Sequence, residues 1–165
     1  MADEIGGNRM LQRVLTPQAM TPGVNAPQFR GLHPDAVIGG DIKLTGSRSF
    51  NTNTSALYKA LRPGLQYGKL KQPLDLLLKR EPDNKFNQKA IAVLAPEGGN
   101  PGSKPVRIGY VPDRLSTSLA PLMDNGNGFV AKLTRIQAYQ SGNQWFHSLV
   151  ARIEHISPEN GAPDL

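Results

Sequence analysis

Three cations and an aromatic ring stand within one short polar stretch. Arg80, Lys85, Phe86 and Lys89 lie in Arg80-Glu81-Pro82-Asp83-Asn84-Lys85-Phe86-Asn87-Gln88-Lys89. Cations can hold a phosphate and a ring can face a base, so this grouping suits a nucleotide. Glu81 and Asp83 could be taken as a carboxylate pair for acid–base work. Beside Pro82 and Asn84 they read instead as turn chemistry, because Asp and Asn side chains bond to nearby backbone.

Two apolar runs must position this loop. Leu74, Leu76, Leu77 and Leu78 precede it, and Ala90, Ile91, Ala92 and Val93 follow it. Each is short and ends at a turn signal, which predicts two strands. Pro82 lacks an N–H and biases Glu81 away from helix. The loop is longer than the two to five residues usual in a hairpin.

Upstream, residues 1–40 carry Pro17, Pro22, Pro27, Pro34 and Gly39-Gly40 and are expected to form a flexible arm. Met10 to Leu15 has enough apolar character for one docked strand or turn. The domain is expected over residues 41–157, with a polar tail at 158–165. Ile42 and Leu44 alternate with Lys43 and Thr45 as in a half-buried strand, with Gly46 as a bulge. Continued to Phe50, that strand would put Arg48 and Phe50 on one face. Thr52 to Leu61 predicts a short helix capped by Thr54 or Ser55, with Leu57, Ala60 and Leu61 as its apolar stripe and Pro63-Gly64 as its end. Leu65 to Pro73 reads as a connection. Its Lys69 and Lys71 read as solvated surface lysines, with a ligand-facing role as the alternative.

Downstream, 96–105 is loop by composition and Val106 to Val111 a strand. A helix over 114–125 has Leu115, Leu119, Leu122 and Met123 on one face, with Pro121 expected to kink or split it. Gly128 to Tyr139 and Trp145 to Ile156 read as strands joined by the Ser141-Gly142-Asn143 turn, although Leu149, Ile153 and Ile156 also fit helical spacing. The tally is about six strands and two helices, a mainly β (α+β) small barrel.

Composition excludes several classes. There is no cysteine, so no disulfide framework or thiolate metal site. His147 and His155 are separated by about 26 Å along a regular strand, too far to share a metal. No metal site and no cofactor are expected. No phosphate-loop, zincin or serine-hydrolase signature is present. No run approaches the ~20 apolar residues of a membrane helix, and Asp3 and Glu4 open the chain where a secretory signal would be basic and then apolar. The natural expectation is a cytoplasmic protein with no membrane partner. The formal charge of +6 and a pI near 9.8 favour polyanionic partners, nucleic acid first.

At this point the sequence resembles a family. R-E-P-D-N-x-F-N-x-x-A-I-A-V, from Arg80 to Val93, looks like the HIRAN signature R-[ED]-P-x-N-x-[YF]-D-x-N-A-[IV]-x-V. Ile108-Gly109-Tyr110-Val111-Pro112 is similar to the family's IGY(I/V)P block, and Gly46-Ser47-Arg48-Ser49-Phe50 to its G-x-R-x-[YF]. The resemblance runs roughly from Ile42 to Ile156. It implies an OB-like barrel and a module, here standing alone, that captures the free 3′ end of single-stranded DNA without catalysis of its own. Hydrolase or helicase activity in the family belongs to fused domains, so a helicase or nuclease would enter as a partner protein. Residue by residue, Arg48 would hold a phosphate, Phe50 would fill an aromatic position, Phe86 would stack on a terminal base, Asn87 would meet the 3′-hydroxyl and Tyr110 would reach a phosphate. Arg80, Asn84, Lys85 and Lys89 complete the expected nucleic-acid-binding set. Three positions depart from the pattern: Asn87 replaces Asp, Lys89 replaces Asn, and Ser49 replaces an aromatic. The neutral amide should discriminate less between a 3′-hydroxyl and a 3′-phosphate than a carboxylate would. RNA in place of DNA, and a protein-interaction module on the same barrel, stay open as alternatives.

Overall fold

The computed structural model describes residues 40–156. The expected arm and its Met10–Leu15 segment, His33 and the C-terminal tail lie outside these residues. What is described is one antiparallel seven-stranded sheet with two α-helices. The strands are β1 (Ile42–Lys43), β2 (Leu65–Gln66), β3 (Lys69–Glu81), β4 (Ala90–Pro96), β5 (Pro105–Tyr110), β6 (Gly128–Ser141) and β7 (Gln144–Ile156). Helix α1 spans Asn51–Leu61 and α2 spans Asp113–Asp124.

The order across the sheet is β1-β7-β6-β3-β4-β5, with β2 paired to β3. Just past β1 the chain turns its other edge to β5. The Thr45 N–H donates to the Tyr110 carbonyl at 2.9 Å and the Tyr110 N–H returns to Thr45 at 2.8 Å. One bridge thus joins the two outer edges and curls the sheet into a small barrel, as the alternating strand pattern implied.

The core follows from that alternation. Leu133, Ile136, Leu149, Ala151 and Ile153 face inward from β6 and β7. Strand β4 is buried on both faces, Ala90 through Ala95 all being enclosed. Its Ile91, Val93 and Ala95 join the core cluster, to which α2 adds Leu119, Ala120 and Leu122.

Several expectations need correction. The connection 65–73 is largely strand: β2 and the start of β3 form a hairpin whose turn, Tyr67-Gly68, has positive φ at both residues. Strand β3 tolerates Pro73 because its pairing with β6 shifts register between Lys69 and Leu74, leaving a gap in the ladder where no N–H is needed. Ser47–Phe50 is a 3-10 turn rather than a strand, entered through Gly46 at φ 72°. Arg48 and Phe50 therefore do not share a strand face. That turn feeds directly into α1, which has no side-chain cap; Thr54 lies inside, buried, its hydroxyl donating to the Asn51 carbonyl at 3.2 Å. Ala60 is exposed, so the buried stripe of α1 is Thr54 and Leu57 with Leu61 partly covered. Helix α2 runs through Pro121 unbroken. The carbonyl that Pro121 leaves without a donor belongs to Thr117, an exposed residue that water can serve. The strand reading of 145–156 over the helical one holds throughout β7.

Gly109 makes the closure possible. A Cβ there would stand 3.0 Å from the Thr45 carbonyl oxygen and 2.8 Å from the Ser47 hydroxyl. Gly109→Ala is expected to lower stability by ~1–3 kcal/mol through overpacking. Urea unfolding measures the loss, and faster amide exchange at Thr45 and Tyr110 localises it to the bridge.

Candidate nucleic-acid interface

The loop between β3 and β4 is built by its own polar side chains. The Asn84 Oδ1 accepts from the N–H groups of Phe86 at 2.9 Å and Asn87 at 3.1 Å. Its Nδ2 donates to Glu81 Oε1 at 3.1 Å. Asn87 repeats the device one turn later, its Oδ1 accepting from the Lys89 N–H at 2.9 Å. Arg80 straps the loop to its base. Its guanidinium donates to the carbonyls of Ala90 at 2.8 Å and Gln88 at 3.0 Å, and grips Asp124 at the end of α2 through both carboxylate oxygens. Arg80 and Asn84 are thus turned toward the protein. With the loop held this way, the Phe86 ring is 96% exposed, and Lys85 and Lys89 are exposed beside it.

Glu81 is the hub beneath the loop. Its carboxylate accepts from Asn84, from the Tyr110 hydroxyl at 2.8 Å, and from Arg107 through Nε at 2.8 Å and through Nη2. Burial by itself would push this carboxyl up. The bonds from Arg107, Asn84 and Tyr110, with the Arg107 charge, outweigh burial and hold it below the usual range. The same contacts act on the partners. Burial and then the Glu81 bond raise the Tyr110 phenol, and the Glu81 bond raises Arg107. Tyr110 also packs against Phe50, ring centroids 6.0 Å apart. Segments from three distant parts of the sequence therefore touch in a chain: Phe50, Tyr110, Glu81, Asn84 and the Phe86 loop.

Arg48 leaves the 3-10 turn in another direction. Its guanidinium carbon lies 4.3 Å from the centroid of the Phe146 ring and 5.8 Å from that of Tyr139. Its Nε donates to the Tyr139 hydroxyl at 3.3 Å. Stacking fixes the plane of the group while leaving donors for an anion. Arg48 borders an open cleft of about 670 Å³, also lined by Asp41, Lys43, Arg114, Tyr139, His147 and Ser148. The cleft and the loop meet at the start of α2. There the Asn87 Nδ2 donates to Asp113 Oδ1 at 3.1 Å, and Arg114 is the next residue.

Sequence reasoning passed over Tyr139, Phe146 and Arg114. The first two flank the Ser141-Gly142-Asn143 turn and pair across it. An aromatic on each side of a predicted hairpin turn was the available signal. His147 and His155 lie in separate surroundings, the first 4.9 Å from the Tyr58 ring and the second 5.3 Å from that of Phe129. Among the described residues no group of three His, Cys, Asp or Glu is placed to hold a metal, and no helix is long and apolar enough to cross a membrane. His147 is 7% exposed, and its Nδ1 has no hydrogen-bond partner. Burial lowers its pKa.

The strands and helices form a small, mainly β barrel that carries an exposed ring, exposed lysines and an arginine-bordered cleft. The chain belongs to the HIRAN domain family, whose profile matches residues 47–150. Members of that family are known as nucleic-acid-binding modules. Among solved structures, a protein from Lactobacillus plantarum is similar at 21% identity, with 72% of this chain and 95% of that chain covered and a TM-score of 0.42. The HIRAN domain of human HLTF is similar at 18% identity, with 69% and 75% covered and a TM-score of 0.34. No curated protein matches the chain.

Glu81 and His147 both release their protons more readily in the fold than in the unfolded chain. Each therefore contributes stability that is complete above its unfolded pKa and fades as pH falls. The loss begins below 6.5 for His147 and below 4.5 for Glu81. Denaturant unfolding from about pH 8 to about pH 3 is expected to show both phases. His147→Phe removes the upper phase and Glu81→Gln the lower.

Proposed function

We propose that this chain binds single-stranded nucleic acid, DNA in the first instance, at a free 3′ end, and that it binds without turnover. The observation that carries the reading is the joining of the three motif segments, which leaves the Phe86 ring bare while the Arg48 guanidinium lies over the Phe146 ring. In this reading Phe86 stacks on the terminal base and Arg48 grips a phosphate, with Lys85 and Lys89 adding charge. Phe50, Arg80, Asn84 and Tyr110 are positioning residues, since their groups are engaged inside the protein. Asn87 keeps one lone pair on Oδ1 for a sugar hydroxyl after accepting from Lys89. Being neutral, it separates 3′-hydroxyl from 3′-phosphate ends less sharply than a carboxylate would.

The binding unit is residues 41–157, with 1–40 as an arm and 158–165 as a tail. The setting is cytoplasmic repair, replication restart or phage-related processing. There a helicase or nuclease would work on the same strand.

Fluorescence anisotropy with short oligonucleotides ending in 3′-hydroxyl or 3′-phosphate, and with blunt duplex, tests the reading. The single strands are expected to bind, the hydroxyl end modestly better than the phosphate end, and to be recovered intact. Phe86→Ala should cost ~1–3 kcal/mol, and Arg48→Ala should weaken binding and flatten its salt dependence. Binding weaker than about 100 μM at low salt, where even non-specific contacts register, overturns the reading. RNA bound in preference to DNA would change the substrate and keep the site.

A further inference from the structure

The positive charge of this chain is unevenly placed. From Ile42 to Leu74 there are six cations and no acid, and from Asn125 to Ile153 three cations and no acid. The sheet brings these two stretches together. Lys43 pairs with Val150, Val150 with Arg135, and Arg135 with Lys69, so the four lie in one row across β1, β7, β6 and β3. Directly paired residues point to the same face. Buried Leu149 and Ile136 point inward beside this row, so the row is on the outer face. One row up on that face are Gln137 and Ser148, and above them Tyr139 and Phe146, on which Arg48 rests. On the other side, beyond the irregular pairing at Thr134, the charges are neutralised: Lys132 pairs with Asp75 at 2.7 Å and Arg152 with Glu154 at 3.0 Å. Among the described residues no carboxylate lies within ion-pair distance of Lys43, Lys69 or Arg135.

An aromatic stands at each end. Tyr139 is 37% exposed and Tyr67 89% exposed. Tyr67 is the one described non-glycine residue with positive φ, at 52°. For a bulky side chain that conformation is strained. It is held by the Arg135 guanidinium, which donates to the Tyr67 carbonyl at 3.1 Å, and by the Ile136 N–H, which donates to the Gly68 carbonyl at 2.9 Å. The turn is docked on β6 with its ring turned to solvent.

We propose that the outer face of β1, β7, β6 and β3 is a second binding surface, which carries the upstream part of the same single strand. The strand leaves Arg48 at the cleft, passes Tyr139, runs onto Lys43, Arg135 and Lys69, and finishes against Tyr67. The row lies about 13 Å along the strands from Phe146 and spans about 14 Å across them. Unpaired cations with rings at intervals suit a sugar–phosphate backbone bearing bases. An acidic peptide or an anionic membrane would use the charge and leave the rings idle.

The proposal rests on the terminal reading above, and oligonucleotide length separates the two. Full-length protein is titrated with oligonucleotides of about three and about twelve nucleotides, both within or near the range one OB fold covers. The longer strand is expected to bind more tightly and with a steeper salt dependence. Lys69→Gln combined with Arg135→Gln, neither of which lines the Arg48 cleft, should leave the short strand unaffected and make the salt slope of the long one shallower by about 1.4, at ~0.7 per phosphate contact. Tyr67→Gly, which suits the turn, should weaken only the long strand. A short strand bound with no gain on lengthening, or a double variant with an unchanged slope, overturns the second surface alone. Failure of both lengths overturns the terminal site and this surface with it. Capture of polyglutamate that is lost in the double variant, without any length gain for DNA, also overturns it.

Discussion

The pairing of Thr45 with Tyr110 is the constraint on which the rest depends. It is a single bridge, yet it is where the first and last edges of the sheet meet. Without it, Gly46 would have no reason to turn the chain, and Ser47, whose hydroxyl donates to the Ile108 carbonyl at 2.8 Å, would not be held against β5. The 3-10 turn that follows would then present Arg48 and Phe50 to nothing in particular. Two backbone hydrogen bonds are weak as net energy, about 0.5–1.5 kcal/mol each. Their importance is geometric: they make contact between segments more than sixty residues apart. Gly109 pairs with Val93 on one side and stands against Thr45 on the other, and its lack of a Cβ sets how near the edges can come.

The loop above Glu81 shows how a motif can be functional in its shape rather than in each of its side chains. Arg80, Glu81, Asn84 and Asn87 all point their polar groups at one another, at Arg107 and Tyr110 of β5, at backbone, or at the ends of α2. Such a closed network is stable only when every member is satisfied, and these four are. Its product is a loop that needs little further ordering. A ring on a floppy loop would lose rotamer and backbone freedom on binding, a cost of order 1–2 kcal/mol per ordered residue. On this loop the hydrogen bonds to Asn84 have already fixed much of the backbone, and the exposed ring's own rotamers are what binding still has to order.

Sequence periodicity revealed β6 and both helices, because each has a buried face with a regular repeat; β4 showed as a continuous apolar run, being buried on both faces, and β7 was separated from a helix by the turn before it and by the family resemblance. Periodicity failed where local chemistry overrode the repeat. Ile42 to Phe50 alternates well enough to pass for a strand, but the pairing partner changes from β7 to β5 within three residues, and the chain leaves the extended state at Gly46. Leu65 to Pro73 looks like linker because Pro73, Gly68 and the lysines dilute its apolar signal. The hairpin there depends on Tyr67 adopting a conformation that its residue type disfavours, which no propensity anticipates. Within the site, residue types were legible and their assignments less so. Nothing in the spacing distinguishes an arginine aimed at solvent from one strapped to Asp124, since Asp124 lies far along the chain in a helix read as core packing. The Phe146 and Tyr139 platform under Arg48 was hidden for the same reason: it joins β6 and β7 to a turn ninety residues earlier.

The arrangement of charge gives the fold its polarity. Acidic residues gather where cations are tied down, at Asp75, Glu81, Asp124 and Glu154, and each holds an arginine or lysine. Elsewhere cations are held without a paired carboxylate, Arg48 by the Phe146 ring and the Tyr139 hydroxyl and Arg135 by the Tyr67 carbonyl. A guanidinium against a ring keeps its charge, because the ring shields one face and removes none of the field. A carboxylate partner would cancel that field and would have to be displaced before a phosphate could enter. Using rings in place of acids thus orders the cation and leaves it ready for an anion. That choice separates the cations that build this barrel from those free to act on a ligand.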